Sequence, residues 1–213
     1  MKKLINIWFW FFLYLAANGQ SAQYFNKTYT SFAGSSSIST VVQTDSNYLL
    51  VIDNLAPPQP QNTIFILADK FGNIIDSIQY PGDYKYSFVY PGATALKSES
   101  GNFVIATNRN DTNNFLNPHL FCLDTNLDTL WTRKYTHPDT FAVLPGAYCV
   151  NVQTAIRQTW DGGYIITGNY SKDCDQNQMR SYLLKTDSMG VMEWIKKYNN
   201  VERISSILTS PDS

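Results

Sequence analysis

The sequence predicts an all-β fold: a partial β-propeller of three four-stranded antiparallel blades, with a lone strand at each end. Three observations lead there. One phrase recurs three times: VVQTDSNYLLVID then TIFILADKFGNIIDSIQY, TALKSESGNFVIATN then HLFCLDTNLDTLWTRKY, and AIRQTWDGGYIITGNY then SYLLKTDSMGVMEWIKKY. Its landmarks drift together: Tyr48, Phe103 and Tyr164 are 55 and 61 residues apart, while Asp69, Asp124, Asp187 and the closing Tyr80, Tyr135, Tyr198 both give 55 and 63. Each unit reads as four short strand-like runs divided by turn residues, and no segment sustains the apolar period of a helix. Four antiparallel strands repeated every ~50–60 residues fit a propeller blade. A β-sandwich is the competing architecture, and the long period with its repeated closing W/I-x-x-x-Y strand argues against it.

The elements follow in order. Residues 1–19 read as a signal peptide: Lys2 and Lys3, an apolar run from Leu4 to Ala17, then Ala17-Asn18-Gly19, with cleavage expected before Gln20 or Gln23. The run is shorter than the ~20 residues of a membrane-spanning helix, so no integral span is expected after cleavage. The mature protein is expected to be exported, at the cell surface or secreted, and to meet an oxidising compartment. Residues 20–34 hold QYFNKTYT, which resembles the closing strands EWIKKYNN and LWTRKYTH and reads as a ring-closing strand without its blade. Blade 1 is expected over 35–80, blade 2 over 81–135 and blade 3 over 136–198. In blade 3, Ala155–Thr159 leads into Asp161-Gly162-Gly163, where glycine supplies positive φ for a tight hairpin. Tyr164–Gly168 returns, Ser181–Thr186 follows, Asp187-Ser188-Met189-Gly190 turns, and Val191–Tyr198 closes the unit. Residues 199–213 contain RISSILTSPDS and read as the first strand of a truncated fourth blade.

Rings have at least four blades, typically four to eight. Open ends would leave strand edges and apolar blade faces in water. The chain is therefore expected to be the front part of a longer protein, or to self-associate through its open edges.

Composition excludes one class of partner. With a formal charge of −1 and 15% charged residues, the chain has no basic surface for phosphates, so no nucleic-acid partner is expected.

Loop lengths point to a binding face. The first-to-second and third-to-fourth turns are short (DSN, ESGN, WDGG; DKFGN, DTNLD, DSMG). The second-to-third loops and inter-blade connections are long (NLAPPQPQN, NRNDTNNFLNP, NYSKDCDQNQMR; PGDYKYSFVYPG, THPDTFAVLPGAYC) and fall on the opposite face. Tyr84, Tyr86 and Tyr90 come from one connection, Phe141 and Tyr148 from the next. Aromatic rings among Asn and Asp suit a carbohydrate or peptide ligand, though such rings also serve simply to anchor loops on blades. Cys149 and Cys174 land on this face and are candidates for a disulfide, while Cys122 inside LFCLD reads as a buried thiol.

Metal and catalytic signals are poor. His119 and His137 stand apart. Asp173, Asp175 and Asn177 alternate like the start of a calcium loop but lack its glycine and its twelfth-place glutamate. No G-x-S-x-G motif or recognisable carboxylate pair occurs. No catalytic residue, metal or cofactor is expected.

QTWDGGYIITGNY with YLLKTDSMGVMEWIKKY resembles the repeats of secreted β-propeller proteins of Bacteroidota, with their Q-T-x-D-G-G-Y turn, K-T-D-x-x-G turn and tryptophan-containing closing strand. The resemblance runs from Gln23 to Ser213 and is specific in the third unit. In the first unit Tyr48 follows Asp45-Ser46-Asn47 and no tryptophan appears. The resemblance implies export, often with a C-terminal type IX sorting domain that these residues do not contain, and implies no reaction. Asp76-Ser77-Ile78, Asp128-Thr129-Leu130 and Asp187-Ser188-Met189 resemble the O-glycosylation acceptor of that group. The expected function is a non-catalytic binding or adhesion module. The alternatives are a fragment of a glycan-active extracellular enzyme with its catalytic groups in missing blades, and a structural spacer.

Overall fold

Side-chain alternation and turn chemistry decide the strands, and the computed structural model describes them over residues 28–29, 35–55, 62–80, 94–110, 116–135, 151–171 and 178–209. They are β1 (Ser35–Gln43), β2 (Asn47–Leu55), β3 (Asn62–Asp69), β4 (Ile74–Tyr80), β5 (Ala95–Lys97), β6 (Phe103–Asn110), β7 (Leu116–Leu123), β8 (Thr129–Lys134), β9 (Asn151–Gln158), β10 (Tyr164–Ser171), β11 (Met179–Thr186) and β12 (Met192–Tyr198). They form three four-stranded antiparallel meanders, β1–β4, β5–β8 and β9–β12. The described residues contain no helix. The expected all-β fold of three four-stranded blades is what the chain adopts, and the sheets do not close into a ring among the described residues.

The third-to-fourth turns are three copies of one device. Asp69 Oδ1 accepts the N–H groups of Phe71 and Asn73, each at 2.8 Å. Asp124 Oδ1 takes those of Asn126 and Asp128 at 2.8 and 2.9 Å, and Asp187 Oδ1 those of Met189 and Val191 at 2.9 and 2.8 Å. A short carboxylate that bonds backbone two residues on fixes such a turn. The fourth residue takes positive φ: 77° at Gly72, 66° at Leu127 and 72° at Gly190. In the first-to-second turn of blade 3, Gly162 has φ 79°, and a Cβ on Gly163 would lie 2.2 Å from the Thr186 carbonyl oxygen. One glycine turns the chain and the other admits the neighbouring strand.

Stacking of the sheets makes the core. On β6 and β7, Phe103, Ile105, Phe121 and Leu123 point one way and meet Leu49, Val51, Phe65 and Leu67 of blade 1. The alternate residues Val104, Ala106, Leu120 and Cys122 point the other way and meet Ile156, Tyr164, Ile166, Tyr182 and Leu184 of blade 3. Blade 2 is thus apolar on both faces, as a sheet buried on both sides must be. β1 touches β5 and β5 touches β9, so the first strands lie side by side, where strands bordering a common axis belong. The far face of blade 1 buries Leu50, Ile52, Ile64 and Ile66, with Tyr29 and Tyr48 packed on them.

The ends of the chain differ in what they show. Residues 1–27, which include the expected signal peptide, lie outside the described residues. At the other end, residues 201–209 pair with no strand among the described residues. The Ile204 N–H instead donates to Asn169 Oδ1 at 3.3 Å.

Candidate functional site

The meander fixes which connections share an edge. Turns β1–β2, β3–β4 and their counterparts lie at one end of the strands. Leu55 and Asn62, Asn110 and Leu116, Ser171 and Met179, Tyr80 and Ala95, and Lys134 and Asn151 mark the strand ends at the other. Every long connection therefore leaves from one edge of the stack. Tyr84, Tyr86, Tyr90, Phe141, Tyr148, Cys149 and Cys174 belong to these connections and lie outside the described residues, as do His137, Asp173, Asp175 and Asn177.

Just beneath that edge runs a layer of buried polar groups that the sequence reading missed. Asp53, Asn108 and Asn169 occupy one position of the repeat and are all buried, with Thr63, Asn117 and Ser181 nearby on the third strands. At Asn169 the side-chain Oδ1 accepts the Ser181 hydroxyl at 3.0 Å and the Ile204 N–H at 3.3 Å. A buried polar group must be paired, and here the pairing ties the segment leaving the blade onto its face. The signal was present in the spacing: these residues are 55 and 61 apart, like the aromatic landmarks.

Closing tyrosines link neighbouring blades. The Tyr135 hydroxyl of blade 2 donates to the Gly190 carbonyl in the Asp187–Gly190 turn of blade 3, at 2.6 Å. Trp131 covers the same glycine so closely that a Cβ there would lie 2.6 Å from its ring. Tyr80 of blade 1 shares a hydrogen bond with Thr129, next to the corresponding turn of blade 2. Tyr29 donates to the Gly72 carbonyl of blade 1 at 2.9 Å. It stands to blade 1 as Tyr135 stands to blade 3.

At the turn edge, Lys185 occupies the position that Leu67 holds in blade 1 and Cys122 in blade 2. Its Nζ lies 2.8 Å from Asp161 and 3.1 Å from Glu193 and donates to the Thr186 carbonyl at 2.9 Å. The Lys185 hydrogen bond, joined by those from Thr159 and the Gly163 N–H, holds the Asp161 carboxyl well below the usual carboxylate range. Burial pulls Lys185 down, but bonds to both carboxylates outweigh it and raise the ammonium above its ordinary value. This ion cluster locks the turn to β11 and β12.

Two further candidates, His119 and Cys122, are buried in the stack. His119 is buried with its ring 4.5 Å from that of Phe121. Burial pushes the Cys122 thiol to about 11, leaving it inert at neutral pH. Among the described residues no three His, Cys, Asp or Glu side chains are grouped to hold a metal ion, and no helix is long and apolar enough to cross a membrane.

Comparison with known proteins places the chain in no family: no family and no curated protein matches it. Nine chains of solved structures match. One of them, "Crystal structure of the eukaryotic initiation factor", is 12% identical with a TM-score of 0.48, the match covering 85% of this chain and 36% of that one. At that level the likeness carries no argument about function.

Proposed function

We propose that this chain is an exported, non-catalytic β-propeller segment that binds a carbohydrate or peptide ligand on its long-loop edge. The observation that supports this is the common edge from which every long connection leaves, set against short, internally bonded turns at the other. A rigid stack carrying variable loops on one side is how scaffolds present binding surfaces. Tyr84, Tyr86, Tyr90, Phe141 and Tyr148 are the ring-bearing residues of two of those connections. Export follows from the N-terminal leader, and the cell surface is the setting.

Glycan and peptide arrays probed with the mature chain test the reading. A ligand whose affinity falls about tenfold, or about 1.4 kcal/mol, on Tyr84→Ala or Tyr86→Ala supports it. Silence across both arrays, or binding indifferent to all five aromatic substitutions, overturns it. Terminal sequencing of exported protein, expected to begin at Gln20 or Gln23, tests the leader separately.

A further inference from the structure

Blades 2 and 3 end in the same outer strip, yet only one is covered. On blade 2 it is Trp131, Arg133 and Tyr135, alternate residues on the side facing blade 3. Trp131 and Tyr135 are 9% and 8% exposed, and the Arg133 guanidinium lies 5.7 Å from the Trp131 ring. On blade 3 the register places Trp194, Lys196 and Tyr198 at the same positions. Trp194 and Tyr198 are 38% and 36% exposed, with Lys196 Nζ 5.2 Å from the Trp194 ring. What covers the first strip is the Asp187–Gly190 turn of blade 3, through the Tyr135 bond to the Gly190 carbonyl and the packing of Trp131 and Arg133 on Gly190.

We propose that Trp194, Lys196 and Tyr198 form a docking strip for one further antiparallel blade of this same repeat. That blade's D-x-x-G turn would seat its glycine under Trp194, its carbonyl on the Tyr198 hydroxyl and its aspartate beside Lys196.

Three considerations fix this occupant. At two described junctions a tyrosine hydroxyl donates to the carbonyl of the positive-φ glycine of a third-to-fourth turn, Tyr29 to Gly72 and Tyr135 to Gly190, and at the third Tyr80 bonds the Thr129 hydroxyl beside that turn. Tyr198 is the fourth member, and its hydroxyl has no partner among the described residues. A second copy of this chain is the poorer fit. Its blade 2 and blade 3 turns lie inside its own stack, and its Gly72 carbonyl already accepts that copy's Tyr29. The inner part of the blade 3 face is closed as well: Ile165, Thr167 and Lys185 are buried, and Ile204 is bonded to Asn169 there. The outer strip is what stays open.

The test extends the full chain at its C-terminus with a second copy of residues 151–198, the added copy carrying Tyr198→Phe so that the native Tyr198 peptide has a unique mass. Nitration by tetranitromethane is followed by peptide mass spectrometry. In the unextended chain Tyr198 is expected to react readily while Tyr135 is protected. In the extended chain Tyr198 should slow to the rate of Tyr135, and the thermal midpoint should rise. Native Tyr198→Phe in the extended chain should lose part of that rise. A Tyr198 rate unchanged by the extension overturns the assignment. So does an added blade that stays unfolded, with no gain in β-sheet circular dichroism, because a matching face is what such a blade folds upon. Extended chains that pair with one another in place of burying their own Tyr198, seen by light scattering, overturn it as well.

Discussion

Tyr135 and Gly190 are 55 residues apart and lie on neighbouring blades, and the hydroxyl of the first donates to the carbonyl of the second across 2.6 Å. The carbonyl belongs to a residue at φ 72°, so its direction is set by the turn and its partner comes from the neighbouring blade. Tyr135→Phe keeps the ring and leaves a buried carbonyl unpaired. The expected cost is about 1–3 kcal/mol, read as a lower urea midpoint with unchanged slope. Tyr80→Phe should cost less, because the Tyr80 bond to Thr129 is exposed to solvent. Equal costs would mean that burial does not govern these links.

Gly168 and Tyr182 face each other across β10 and β11, and a Cβ on Gly168 would lie 2.2 Å from the tyrosine ring. Gly168→Ala is therefore expected to destabilise by about 1–3 kcal/mol or more through overpacking. Tyr182→Phe should do the reverse. The Tyr182 hydroxyl is fully buried without a hydrogen-bond partner, and removing such a group recovers roughly 1 kcal/mol of desolvation. Thermal unfolding of the two single variants reads both signs.

Much of this fold was legible because its rules are local. An aspartate that bonds its own turn, a glycine at positive φ and an apolar alternation announce themselves at any position in a chain. Asp69, Asp124 and Asp187 gave the period, and the double-sided apolar strands gave the stacking. What could not be read was which residues of neighbouring blades would pair. Nothing near Tyr135 names Gly190, and nothing near Tyr29 names Gly72. The spacing sets Asn169 at a repeated position with Asp53 and Asn108, but nothing near it names Ile204 as its partner. Lys185 aligns with Leu67 and Cys122 two residues before the turn aspartates, but its ion partners Asp161 and Glu193 are set by the folded sheet. The candidate ligand residues, Tyr84 to Tyr148, were chosen from loop length and composition alone, and they lie outside the described residues.

The Asp161–Lys185 pair makes stability depend on pH in a defined direction. Hydrogen bonding lowers Asp161 in the folded state, so its contribution is complete above the unfolded carboxylate value near ~3.9 and drains away as pH falls towards the folded value. Lys185 is raised, so its contribution is complete below the unfolded lysine value near ~10.4 and is lost as pH rises through the folded one. Denaturation in urea should show stability falling below pH ~4. Asp161→Asn should lower stability at neutral pH and flatten that acid limb. Solvent reaches the carboxylate, which keeps the effect modest. An acid limb identical in the two proteins would place the titrating group elsewhere.

Leu127 sets two demands against each other. It sits at φ 66°, where Gly72 and Gly190 stand in the sister turns, and its side chain is buried between blades 1 and 2. A β-carbon in the left-handed region costs roughly 1–2 kcal/mol, while a buried leucine truncated to alanine costs about 2–5 kcal/mol. By these magnitudes the packing of Leu127 outweighs its strain. Leu127→Ala should therefore be strongly destabilising, since it keeps the backbone strain and loses the packing. Leu127→Gly removes one more carbon yet relieves the strain, and should be the less damaging of the two. Their order in urea midpoint is the test. Alanine ranking above glycine would show that the turn relaxes away from positive φ once the leucine is gone.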